Sequence, residues 1–145
     1  MCGIAGFWES ELQASNDKIH SMCQAIRHRG PDAQGLYTHG PLALGHRRLS
    51  ILDLSEGANQ PFSSSCGRFH LVFNGEIFNY QDFYAELRLK GYGFTTTSDT
   101  EVLLYLLMEY GVSCLSRLNG FFAFAFWDNN DQTLLLARDR YGVKP

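Results

Sequence analysis

The stretch FFAFAFWDNNDQTLLLARD, residues 121–139, decides the fold class. Its seven successive apolar residues, Phe121 to Trp127, lack the alternation of a half-exposed strand. They imply a strand covered on both faces. TLLLARD answers that run across a polar link containing Asn129 and Asn130, and the pair reads as a β-hairpin. A strand covered on both faces needs a layer on each side of it.

Working outward supplies the layers. In SDTEVLLYLLMEYG (98–111), Ser98 and Glu101 form a capping-box signature ahead of Leu103, Leu106, Leu107 and Tyr110, and Gly111 is the stop. NYQDFYAELRLKG (79–91) sets Tyr80, Phe83, Tyr84 and Leu87 on one helical face, closed by Gly91. NDKIHSMCQAIRHRG (16–30) places Ile19, Met22, Cys23 and Ile26 at helical spacing and ends at Gly30-Pro31. CGIAGFW (2–8) reads as a short buried strand, and LALGH, SILDL and RFHLVFN are strand-like in length. A strand, a helix, several strands, two helices and more strands suit antiparallel sheets layered with helices, an α+β architecture.

The bulk composition narrows the function classes. The 145 residues are 45% hydrophobic and 19% charged, with net charge −3, which suits one globular domain. No basic run exceeds Arg47-Arg48, so no nucleic-acid surface is expected. No window approaches the ~18 apolar residues of a membrane span, and the N-terminus lacks a signal-peptide pattern; the cytoplasm is the default location. Cysteines 2, 23, 66 and 114 offer no Cys-x-x-Cys pair, and the five histidines do not complete a zinc site, so no metal is expected. Cys23 and Cys114 read as core thiols, Cys66 as a loop residue.

Four segments do not look like scaffold. RHRGPD (27–32) sets charged residues around a Gly-Pro turn, and GHRRLSILD (45–53) puts paired arginines before an apolar run. FNGEIFN (73–79) carries Asn74-Gly75-Glu76 where a strand should end in a turn, and SDTE puts Asp99 in a helix's first turn. Singly, each has a dull reading: Arg48 a surface charge, Asn74-Gly75 a hairpin turn, Asp99 a dipole partner. A cysteine directly behind the initiator methionine is equally unremarkable by itself.

Together they are not. MCGIAG, RHRGPD, GHRRLSILDL, NQPF, NGEIFNY, SDTE, LNGFFAFAFWD and RDRYGVKP run in order over essentially the whole chain. The set resembles the glutamine amidotransferase domain of the N-terminal-nucleophile type, in its asparagine synthetase branch. Phe73, where other branches carry a histidine, and the Glu76-Ile77 continuation favour that branch. The resemblance implies a four-layer αββα sandwich of two antiparallel sheets. It implies that Cys2, exposed by loss of Met1, attacks the side-chain amide of glutamine and uses its own α-amine as base. It implies an oxyanion hole from the Asn74 side-chain amide and the Gly75 N–H, and a glutamine site formed by Arg48, Leu49, Ser50, Ile51, Leu52, Asn74, Gly75, Glu76 and Asp99. Arg48 would take the α-carboxylate, and Asp99, with Glu76, the α-ammonium. Arg29 and Asp32 are expected to brace the loop, and His28 and His46 to be satisfied scaffold residues.

Relatives continue past RDRYGVKP, so residues 1–145 are expected to be an incomplete glutaminase domain, lacking the synthetase domain that consumes its ammonia. No cofactor is expected here; ATP and magnesium would belong to that domain. The expected partners are glutamine and the synthetase domain, with a second copy of the chain as a further candidate. Three alternatives stay open: a glutamine-binding remnant without catalysis, a related amidotransferase acting on a sugar or peptide acceptor, and a thiol hydrolase pairing Cys2 with a histidine such as His28.

Overall fold

The computed structural model describes residues 2–9, 13–51 and 53–144. Seven strands and three helices are defined: β1 Gly3–Trp8, α1 Asn16–Ala25, β2 Ala33–His39, β3 Leu42–Arg48, β4 Phe62–Ser63, β5 Phe69–Ile77, α2 Tyr80–Leu89, α3 Asp99–Tyr110, β6 Gly120–Asp128 and β7 Thr133–Arg138. They form two antiparallel sheets, one ordered β1-β3-β2 and the other β4-β5-β6-β7.

The period of two along the strands builds the layers. On β3, Leu42 and Leu44 meet Val72, Ala125 and Trp127 of the second sheet, while Ala43 faces the other way, onto Ile19 of α1. Gly45 leaves the space that the Cys23 thiol fills. On β5 and β6, Leu71, Phe73, Ile77, Phe122 and Phe124 turn outward, onto Phe83 and Leu87 of α2 and Val102, Leu103 and Leu106 of α3. The order of layers is helix, sheet, sheet, helices, the αββα sandwich expected from the sequence.

Four local readings need correction. The Asn74-Gly75 pair does not turn: it lies inside β5, opposite Ala123 and Phe122, and Gly75 has no positive φ. Glycine is required there because a Cβ would run into the Phe121 carbonyl of β6. The described residues of SILDL form no strand; beyond Arg48 the chain leaves the sheet, and Leu52 lies outside the described residues. The capping box is only half formed. Ser98 accepts the Glu101 N–H at 3.3 Å, but the Glu101 carboxylate turns to the N–H and hydroxyl groups of Thr95 and Thr96. Finally, His46 is buried between the sheets and neither ring nitrogen completes a hydrogen bond. Desolvation lowers its pKa to about 4, the Arg48 charge acting in the same direction and the Phe73 backbone against it.

Candidate active site

Cys2 stands one residue ahead of β1, whose register against β3 pairs Gly3 with Arg47. That pairing brings the thiol to the end of β3. The Leu49 N–H donates to the Cys2 Sγ at 3.4 Å, and the Leu49 carbonyl lies 3.6 Å from the same sulfur. Leu49 is itself held where the chain turns off the sheet: Asp32 donates its N–H to the Arg48 carbonyl, and its carboxylate accepts the Ser50 N–H at 2.8 Å. Asp32 thus braces this loop, as its sequence context suggested, whereas His28 is exposed.

The open edge of β5 supplies the second wall. Its N–H groups alternate in direction along the strand. The Phe73 N–H donates to the Gln60 Oε1 at 2.6 Å and the Ile77 N–H to the Asp99 Oδ2 at 3.0 Å, so both point away from β6. Alternation puts the Gly75 N–H on that same edge, between Gln60 and Asp99, aimed into open space. Asn74 beside it is buried.

That space is a cavity of about 160 Å³, lined among others by Cys2, Arg48, Leu49, Ile51, Asn74, Gly75, Glu76 and Asp99. Ser50 lies beside it, tied to Asp32, without lining it. Asp99 is buried at the first turn of α3, and burial raises its pKa to about 6, with the Glu76 charge adding to the rise and the Ile77 N–H opposing it. A carboxylate in that condition gains from a cationic partner. Arg48 is engaged with the following loop: Nη1 donates to the Ser55 carbonyl and the Asn59 Oδ1 at 2.7 and 2.8 Å, and Nη2 to the Asp53 carbonyl. Arg48 therefore shapes the cavity rim as well as contributing charge to it.

Sequence reasoning assigned no role to Gln60, Thr100, Phe121 or Lys144, which also line the cavity. Gln60 bridges walls, accepting from Phe73 and donating to the Thr100 hydroxyl at 3.2 Å. NQPF and RDRYGVKP were the available signals, since each places a polar residue in a segment otherwise without a role. Among the described residues no group of three or more His, Cys, Asp or Glu side chains is placed to hold a metal ion, and no helix is long and apolar enough to cross a membrane.

The whole chain, residues 1–145, matches the glutamine amidotransferase domain. It belongs to that family. The match extends to full-length sequences: over all of this domain it is 43% identical to asparagine synthetase [glutamine-hydrolyzing] 1 of Bacillus subtilis, spanning 23% of that protein. It is 40% identical to the amidase chry2 of Gibberella zeae, again over 23% of the relative's length. In three dimensions it is similar to the glutamine phosphoribosylpyrophosphate amidotransferase of B. subtilis, with a TM-score of 0.79 and 25% identity, over 99% of this amidotransferase domain and 38% of that chain. The domain thus spans about a quarter of the curated relatives it matches.

Proposed function

We propose that this domain hydrolyses glutamine to glutamate and ammonia through a thioester on Cys2. The observation that carries the reading is the single cavity in which the Cys2 thiol meets the inward-aimed Gly75 N–H, Asn74, and the Asp99 and Glu76 carboxylates. Once Met1 is gone, the α-amine of Cys2 takes the thiol proton, and the sulfur bonds to the amide carbon of glutamine. The electron pair of the carbonyl moves to oxygen, where the Asn74 amide and the Gly75 N–H stabilise it. Collapse restores the carbonyl, and the amide nitrogen leaves as ammonia with the proton returned by the amine. Water then cleaves the thioester, giving glutamate and the free thiol.

Substrate orientation follows from charge. Asp99 and Glu76 receive the α-ammonium, and the α-carboxylate falls to Arg48, whose Nε and remaining Nη2 hydrogen are directed to neither the Ser55, Asn59 nor Asp53 oxygens. Leu49 and Ile51, which line the same cavity, complete the glutamine site. The ammonia serves an ATP- and magnesium-dependent amidation by a synthetase domain outside residues 1–145. The names of several relatives, glutamine-hydrolysing asparagine synthetases, support this reading.

A glutamate-release assay on protein whose intact mass begins at Cys2 tests it. Glutamine should be hydrolysed and asparagine and simple esters should not. Equal turnover of esters would favour a general thiol hydrolase, and binding without turnover a glutamine-sensing remnant. Protein retaining Met1 should fold and be inactive, since its Cys2 nitrogen is a peptide nitrogen and no base.

A further inference from the structure

We propose that Gln60 is a positioning residue for the oxyanion hole, acting through Gly75. Its side chain stands in for a strand rung beside β5 and fixes the edge from which the Gly75 N–H enters the cavity. The inference rests on the glutaminase reading above and assigns a role to a residue outside the reacting groups.

The pairing of β4 with β5 runs through Phe62 with Leu71 and Ser63 with His70, and goes no further toward Phe73. The residue before Phe62 is Pro61, which has no N–H with which to extend a ladder. From Phe73 onward, side chains take the place of the neighbouring strand. The Gln60 Oε1 accepts the Phe73 N–H at 2.6 Å, and the Asp99 Oδ2 accepts the Ile77 N–H at 3.0 Å. The gap between these two falls at Gly75, whose N–H alternation aims the same way. A buried backbone donor left without a partner is costly, so Gln60 and Asp99 settle the two flanking positions inside the protein. The donor between them is aimed where a developing oxyanion would be.

Gln60 is itself held from three sides. It is buried, and its Nε2 donates to the Thr100 hydroxyl at 3.2 Å, in the first turn of α3. A backbone N–H can only donate, so the amide oxygen must meet Phe73 and the amide nitrogen is left for Thr100. The Gln60 carbonyl packs against β2, where a Cβ on Gly35 would collide with it. One side chain and its backbone thus join the first sheet, the second sheet and α3. A movement of Gln60 would shift the part of β5 that carries Asn74 and Gly75 against the rest of the cavity. Displacements near 1 Å in a catalytic constellation can cost on the order of 10²-fold in rate.

The test is steady-state glutamate release by wild type, Gln60→Met, Thr100→Val and the double variant, all beginning at Cys2. Here kcat is expressed per folded molecule, taken from urea unfolding at the assay temperature. Gln60→Met keeps the side-chain length and removes both bonds. It should lower kcat by roughly ten- to a hundredfold and leave KM within about threefold, because Arg48 and Asp99 keep their own partners. Thr100→Val should lower kcat by roughly three- to tenfold, and the double variant should be no slower than Gln60→Met, since Thr100 acts by orienting Gln60. A residue that only stabilised the fold would move the urea midpoint and leave kcat per folded molecule unchanged. That result would overturn the proposal, as would a rise in KM with kcat unchanged. Should Gln60→Met not fold, Thr100→Val decides, and an unchanged kcat there overturns the proposal. No glutamate release from wild type would sink the glutaminase reading and this proposal with it, whereas an active wild type with unaltered variants sinks this proposal alone.

Discussion

Cys2 and Asn74 give the sharpest expectations at the scale of single residues. Cys2→Ala should abolish glutamate release without lowering the melting temperature, because the thiol is at the cavity edge rather than in the core. Asn74→Ala should lower kcat by about 10²–10³ while glutamine still binds, the signature of a lost oxyanion donor; a change confined to KM would remove Asn74 from that role. Asp99 titrates within reach of assay. With a pKa raised to about 6, it loses its charge as pH falls through 6, so KM for glutamine should rise on acidification, and Asp99→Asn should show a high KM without that pH dependence. Asp99 and His46 also oppose each other in stability. His46, lowered to about 4, is held neutral by the fold, so its contribution is lost as pH falls from about 6.5 to about 4. Asp99 is raised, so its ionisation destabilises the fold as pH rises from about 4 to about 6. Each is worth on the order of 3 kcal/mol and the two nearly offset. Relative to wild type, His46→Met should gain stability on acidification across this window and Asp99→Asn should lose it, as measured by urea unfolding at pH 7 and pH 4.5.

Among the elements, α3 depends on a clasp that its sequence disguises. Glu101 is fully buried and receives the N–H and hydroxyl groups of Thr95 and Thr96 and the Tyr105 hydroxyl. Glu101→Ala should cost roughly 3 kcal/mol or more in urea unfolding, since it orphans buried donors, and should raise KM because the same turn aims Asp99. The misreading of Glu101 as a capping-box partner shows where sequence is opaque. A Ser-x-x-Glu pattern fixes the cap, but only the path of residues 93–97 decides where the carboxylate goes. Elements with a strong local signal were legible, such as β6 from its unbroken apolar run and α2 and α3 from their periodicity. β2, with Ala-Gln-Gly-Leu-Tyr-Thr-His, has no apolar face to announce it and forms because β3 offers a full edge. Asn74-Gly75 reads locally as a turn and is straightened by nine pairings with β6. The site followed the same rule. The ordered segments pointed to Cys2, Asn74 and Asp99, which the fold gathers. Gln60 and Lys144 sit in connections whose direction is set by distant packing, so NQPF and RDRYGVKP flag the segments without showing which side chain reaches the cavity.

At the scale of the whole molecule, the cavity is assembled from residues 2, 48, 49, 51, 58, 60, 73–76, 98–100, 121 and 144, carried by both sheets, a helix and the connections between them. No one layer holds it, so cavity and fold should be lost together: in urea, loss of glutamine protection of Cys2 against alkylation should coincide with the loss of helical circular dichroism. Transitions separated by more than the error of the midpoints would mean that the sheets can part while each survives. The placement of Cys2 has a further consequence. The Cys2 sulfur hangs from the first rung of a ladder, one peptide unit before Gly3 pairs with Arg47. Its address is thus written by counting, as on a ruler, and not by the shape of a loop. Each strand residue advances about 3.4 Å and turns the side chain to the opposite face. A single glycine inserted between Cys2 and Gly3 would leave β1 and both sheets undisturbed, yet carry the sulfur past the Leu49 N–H and turn it from Asn74. Such a protein should melt with wild type and release no glutamate.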